Sequence, residues 1–165
     1  MLTQVHRDLV IIDRRVPDVE TLAADARHRA EVRLIEGNED PVRVIGAELS
    51  KGPVSSLHLV GHGEPGRIIL GRNWLDAITL LGRAIVVGVW ADALMEADVL
   101  LYGCHAGAGV EGRRFVDAFG ALTGARVAAA SDKVGQTEFG ASWDLNVTTG
   151  SSAISQIVFS DEMQA

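Results

Sequence analysis

With 165 residues, 47% of them apolar and 22% charged, the chain has the length and composition of one domain with a normal core, and nothing in it reads as disordered. A net charge of -7 without any Lys/Arg cluster speaks against nucleic acid and anionic membrane surfaces as main partners. No apolar run reaches the roughly 18 residues of a membrane span, residues 1 to 12 lack the layout of a signal peptide, and a single cysteine excludes an internal disulfide framework.

In chain order, strand and helix signals alternate. Asp8 to Asp13 is a short apolar strand closed by a carboxylate, and Pro17-Asp18 opens a helix with Val19, Leu22, Ala23 and Ala26 at helical spacing. Val32 to Ile35 is a second strand. A helix starting at Pro41 places Val42, Ile45 and Leu49 on one face and is stopped by Lys51-Gly52-Pro53. Val54 to Val60 is a third strand, followed by Gly61-His62-Gly63 and a small hairpin around Arg67 to Leu70 between Gly66 and Gly71. Trp74 to Met95 reads as helical, either continuous or as two helices broken near Gly82. Val99 to Gly103 is strand four, Glu111 to Leu122 a helix ended by Gly124, and Arg126 to Ser131 strand five. Trp143 to Val147 alternates like a sixth, edge strand. Strands joined by helices of this length predict right-handed crossovers and a three-layer α/β sandwich around a six-stranded, mainly parallel sheet. Residues 1–165 form one domain in this reading, soluble and with less ordered ends.

Two of these strands deliver chemistry to one edge. An apolar run ends in Gly61-His62-Gly63 and another in Gly103-Cys104, and the carboxyl ends of the strands are where an open α/β sheet collects its ligands. A thiol is a weak nucleophile until an imidazole takes its proton, so His62 as general base and Cys104 as nucleophile suit acyl transfer. Gly63 would supply an oxyanion donor because a residue without Cβ lets its amide approach the substrate, and the Cys104 amide would be the second. The plainer readings are a buried small hydrophobe for Cys104 and a turn residue for His62. The pattern of apolar strand, glycine and reactive residue, met twice, favours the dyad.

Two other chemistries compete. Gly107-Ala108-Gly109-Val110-Glu111-Gly112 matches G-x-G-x-x-G before a helix, with Asp132 twenty residues on, as in a dinucleotide site. It follows the fourth strand at a distance of three residues, however, and carries a carboxylate where a pyrophosphate would lie. His58, His62, Cys104 and His105 offer nitrogen and sulfur ligands to a metal, but His58 lies inside strand three and should point into a helix layer. No cofactor or metal is therefore expected. No G-x-S-x-G elbow occurs. Trp143, after the glycine-rich stretch Gly135 to Ser142, reads either as the wall of the site on a returning loop, with Asp144 turning the chain, or as an edge-strand side chain covering the sheet.

The strand-His62-Gly63 and strand-Gly103-Cys104 blocks, with His62 to Ile69 running into a hairpin, resemble the caspase-like cysteine peptidases (caspases, metacaspases, gingipains, legumains and separases). Over nearly its whole length, including Leu9 to Asp13, Tyr102 to Cys104, Ala129 to Gly135 and Trp143-Asp144, the chain is similar to a bacterial domain of unassigned function near the start of large, repeat-rich surface proteins. The resemblance implies a caspase-like fold, peptide-bond cleavage by His62 and Cys104 with Gly63 as oxyanion donor, and a single uncut chain. It departs from caspases in Gly103 and His105, which flank the cysteine. It also implies a peptide or protein substrate, the parent surface protein among the candidates, and an exported or cell-surface setting. The positions that line the S1 pocket in such families read Asp13 and Asp132 here, which implies preference for Arg or Lys at P1. The rival expectation is a catalytically silent interaction or assembly module.

Overall fold

Residues 7–136, 140–150 and 158–164 are described by the computed structural model of the chain. Residues 1–6, 137–139, 151–157 and 165, which include the chain ends expected to be less ordered and part of the expected returning loop, lie outside the described residues. Three apolar runs, β1 (Asp8–Asp13), β3 (Ser56–Val60) and β7 (Asp98–Tyr102), are buried along almost their whole length. A strand reaches that state in a sheet covered on both faces. They sit side by side in a six-stranded sheet of order β2-β1-β3-β7-β8-β9, completed by β2 (Glu31–Ile35), β8 (Arg126–Ala129) and β9 (Val147–Thr148). Every pair is parallel except β8 with β9. The architecture is a three-layer α/β sandwich, as the alternation of elements predicts.

The two-residue alternation of the strands divides the core. Leu9, Ile11, Leu57, Leu59, Val99 and Leu101 face the helices α2 (Pro41–Leu49), α3 (Ala77–Gly82), α4 (Ala84–Val89), α5 (Ala91–Leu94) and α6 (Gly109–Thr123). Val10, Ile12, Val60, Leu100 and Tyr102 face α1 (Val19–Ala26) together with Trp143, Val158, Phe159 and Met163, the last on α7 (Asp161–Gln164). The connection from β1 to β2 thus runs over one face, and those from β2 to β3, β3 to β7 and β7 to β8 over the other. The strand order reverses between β1 and β3, and a crevice opens at the carboxyl ends there. No helix among the described residues is long and apolar enough to cross a membrane.

The sequence reading departs from the structure at three places. Strand three begins at Ser56, after Val54 has been tied to the Ala93 carbonyl. The expected helix from Trp74 starts as a strand: β4 (Gly63–Glu64), β5 (Arg67–Leu70) and β6 (Asn73–Asp76) form a small antiparallel sheet, with the Arg67 guanidinium 4.1 Å above the Trp74 ring. Asp76 then caps α3 through Thr79, and the chain breaks at Arg83, which Asp40 grips at 2.8 Å. That break is where the two-helix alternative of the sequence puts it, next to Gly82; Leu80, Val87 and Leu94 point inward, while Ile78, Leu81, Ile85 and Val89 form an exposed apolar stripe. The expected edge strand over Trp143 to Val147 shrinks to Val147–Thr148, and Trp143 turns into the core instead.

One polar chain crosses the aromatic face. His58, 1% exposed, gives Nε2–H to the Ser56 hydroxyl at 2.8 Å, and Ser56 in turn donates to Asp8. The Tyr102 hydroxyl donates to His58 Nδ1 at 2.8 Å while the rings stack with centroids 5.7 Å apart. Both imidazole nitrogens are therefore used by the neutral ring. His58 points into the layer of α1, as expected, with both ring nitrogens occupied by Ser56 and Tyr102. Burial pushes its pKa from 6.5 down to about 4, against the opposing pull of Asp8 and Asp98. Between those values the unfolded chain binds the proton and the folded chain refuses it. This contribution to stability is therefore complete above pH 6.5 and lost as pH falls toward 4. The expected cost through His58 between pH 7 and pH 5 is about 2 kcal/mol. Urea unfolding of the wild type and of His58→Asn at both pH values measures it: the variant starts less stable and loses about 2 kcal/mol less on acidification. Equal losses in the two proteins contradict a neutral buried His58.

Candidate functional site

Val60 and Tyr102 are register partners at the ends of β3 and β7, so the two chains leave the sheet side by side. The Gly61 amide still bonds the Tyr102 carbonyl at 3.3 Å. Beyond it the chain from β3 passes between its own hairpin and the cysteine loop, which leaves no room for side chains on either side of His62. A Cβ on Gly61 would stand 2.3 Å from the Ile69 carbonyl oxygen, and one on Gly63 would stand 2.6 Å from the Cys104 carbonyl oxygen and 2.9 Å from the Cys104 nitrogen. The hairpin is held by Ile69 N–H on the His62 carbonyl and by Gly66 N–H on the Ala106 carbonyl. The histidine loop and the cysteine loop are thereby one packed unit.

His62 and Cys104 both line a cleft of about 400 Å³. The His62 ring is exposed and donates from Nε2 to the Arg15 carbonyl at 3.3 Å. A neutral ring held this way carries its lone pair on Nδ1, which leaves that nitrogen to accept a proton. Cys104 is half-buried, and its sulfur receives the Val134 N–H at 3.4 Å and faces the Val134 carbonyl at 3.8 Å. The backbone of Gly63 packs directly on that of Gly103 and Cys104. Opposite the loops, Trp143 is 9% exposed and packs its ring edge-on to Tyr102 at 5.9 Å and against Phe159 at 5.2 Å. It lines the cleft. Its ring also packs on the sheet face, so the two expectations for Trp143 meet in one side chain. Asp144 is exposed, with its amide on the Ser142 hydroxyl.

The two carboxylates expected on the floor of the pocket lie elsewhere. Asp13 is fully buried: Oδ1 receives the Arg15 N–H and Nε–H, both at 2.9 Å, and Oδ2 receives Arg15 Nη2 at 2.8 Å and the Gly71 N–H at 2.7 Å. Burial alone would raise its pKa, but these four donors outweigh burial and hold it below the usual carboxylate range. Asp132 is exposed, folds its carboxylate onto the Lys133 amide and gives its carbonyl to the His105 N–H. Neither aspartate lines the cleft. Asp13 instead fixes the turn after β1 that presents the Arg15 carbonyl to His62. The sequence does not point to Arg15, because the group that touches His62 is a main-chain oxygen that every residue carries.

The glycines of the dinucleotide-like run have packing duties. A Cβ on Gly112 would fall 2.0 Å from the Gly107 carbonyl carbon, and one on Gly107 would meet Val147 and Ala129 at 2.9 and 3.1 Å. They bring α6 down onto the loop after Cys104. His105 takes a left-handed backbone (φ 58°) and donates Nδ1–H to the Ser131 carbonyl. Among the described residues no three His, Cys, Asp or Glu side chains are grouped to hold a metal ion.

The chain belongs to the family described as a domain of unknown function, DUF4347, whose model matches residues 9–165. No curated protein matches the chain.

The packing of Gly63 on the cysteine loop is open to measurement. Gly63→Ala places a methyl group inside backbone contact distance, and overpacking of this kind costs about 1–3 kcal/mol. For a chain of this size that is a fall in Tm of roughly 3–10 °C. Thermal unfolding of Gly63→Ala beside Gly37→Ala, whose added Cβ meets nothing within 4 Å, separates this contact from the general effect of losing a glycine. Equal Tm values for the two variants contradict the close approach.

Proposed function

We propose that the domain is a cysteine endopeptidase of the caspase-like type, with Cys104 as nucleophile, His62 as base and the amides of Gly63 and Cys104 as oxyanion donors. The observation that carries this reading is that His62 and Cys104, at the carboxyl ends of adjacent parallel strands, line one cleft with Gly63 packed on the cysteine backbone. In the reaction, His62 Nδ1 removes the thiol proton as Sγ attacks the scissile carbonyl carbon, and the carbonyl electrons move onto an oxygen that faces the two amides. Collapse of that intermediate expels the amine, which takes the proton from the imidazolium and leaves a thioester that water hydrolyses. The Arg15 carbonyl acts as the third member, because it orients the base by accepting its other N–H. The similarity to domains near the start of large bacterial surface proteins makes the parent polypeptide, at the cell surface, the first substrate to consider.

A silent interaction module is the second reading, and two observations favour it. The hydrogen bonds of Cys104 Sγ run to Val134 and that of His62 runs to Arg15, so thiol and imidazole are not bonded to each other. The stripe Ile78, Leu81, Ile85 and Val89 also offers an exposed apolar surface, with Ile85 90% exposed. Catalytic hydrogen bonds commonly tighten only when substrate is bound, which is why the peptidase reading is preferred.

Reaction with a peptidyl acyloxymethyl ketone separates the two. The expected result is labelling of Cys104 at least about 100-fold faster than a free model thiol, with that advantage lost in His62→Ala, in line with the contribution of a positioned base. Intact-mass measurement over time gives both rates. Labelling of the wild type at the model-thiol rate, or an unchanged rate in His62→Ala, favours the silent module.

A further inference from the structure

We propose that the cleft beside Cys104 receives a large apolar side chain, so that the domain cleaves after residues such as Leu or Met and refuses Arg, Lys, Asp and Glu at that position. The scissile bond in this statement rests on the peptidase reading, whereas the occupancy of the cleft does not.

The inference comes from what lines the cleft and from what has been removed from it. Its walls are Val16 and Leu22 from the β1 side, Val60 and Tyr102 from the strand ends, and Trp143 and Met163 from the opposite side. Val16 and Met163 pack on the aromatic-side core only in part, so they keep surface free for a ligand. Met163 adds an unbranched thioether that adapts to an occupant's shape. Among the described residues the charged groups that line the cleft, apart from His62, are Asp18 and Lys133, one of each sign and both exposed. Neither supplies a desolvated partner for a buried charge.

A guanidinium entering among these groups would lose its water and find no buried carboxylate among the described residues, because Asp13 is fully buried on Arg15 and Gly71 and Asp132 lies outside the lining. A carboxylate would fare no better, since Arg15 is held by Asp13 and also donates to the Gly71 carbonyl. An apolar side chain gains the burial without that cost. Because Cys104 itself lines the cleft, the side chain nearest to a carbonyl under attack by its sulfur is the one that enters.

Two readouts separate this inference from the peptidase reading. Calorimetric titration of Cys104→Ser with blocked tetrapeptides ending in Leu, Arg or Asp needs only the cleft. The expected result is that the Leu peptide binds at least about tenfold more tightly than the other two, a difference of about 1.4 kcal/mol. Labelling of the wild type by acyloxymethyl ketones with the same three terminal residues needs the dyad as well and should follow the same order. Asp132→Ala should leave that order unchanged, and Val16→Asp should raise the Arg peptide relative to Leu by about tenfold. Binding of Arg or Asp as tight as Leu, or no saturable binding of Leu by about 1 mM, overturns the inference. Preferential binding of Leu with no accelerated labelling by any probe leaves it standing and removes the peptidase reading. Fastest labelling by the Arg probe does the reverse.

Discussion

The close approach of two loop backbones, Gly63 against Gly103 and Cys104, is the contact on which the rest of the site depends. It follows from the sheet. Val60 and Tyr102 are register partners, so the chains that leave β3 and β7 start within one strand spacing of each other. They remain together because neither carries a side chain where they touch. A methyl group at Gly63 would force the histidine loop away from the backbone of Gly103 and Cys104. The arrangement depends on a rigid scaffold more than on the loops' own preferences, and the fully buried strands β1, β3 and β7 supply it.

A buried carboxylate supports this contact from the β1 side. Asp13 gathers four N–H groups from Arg15 and Gly71 and thereby ties the turn after β1 to the end of the hairpin that follows His62. The same turn offers the Arg15 carbonyl to the imidazole. Removing one partner of a buried ion pair is far more damaging than its net worth suggests, because the remaining charge is left without water. Asp13 thus acts on the site through geometry, and among the described residues no buried carboxylate lines the cleft. On the other flank Tyr102 joins two systems: its hydroxyl serves His58, and its ring carries Trp143 and Phe159 on the wall of the cleft.

Much of this was legible in the sequence. Short apolar runs ended by glycine marked the central strands and their carboxyl ends, and from those ends the pairing of His62 with Cys104 followed. The place of Trp143 after a glycine-rich stretch left open whether it lines the cleft or covers the sheet, and its ring touches both. The failures have physical causes. Asp13 looked like a specificity residue because a strand-end carboxylate is equally suited to a ligand and to backbone amides, and only burial tells the two apart. Trp74 to Met95 reads as helical, with a break near Gly82 that the structure has, but its first residues are a strand, because the outward stripe Ile78, Leu81, Ile85 and Val89 keeps helical spacing while Trp74 to Asp76 pairs in a hairpin. The G-x-G-x-x-G run matches a phosphate cradle in the sequence, a reading set aside there on its position, and close packing of a helix on a loop demands the same absence of Cβ. The role of Arg15 had no sequence signal at all.

The central claim is that the histidine loop and the cysteine loop form one site. Nuclear magnetic resonance on the chain labelled at histidine and glycine tests it most directly, with spectra recorded before and after Cys104 is converted to its methyl disulfide. The imidazole signals of His62 and the amide of Gly63 are expected to shift, while those of His28, exposed in the turn after α1 and outside the cleft lining, stay in place. Unmoved His62 and Gly63 signals on a fully modified Cys104 would contradict it.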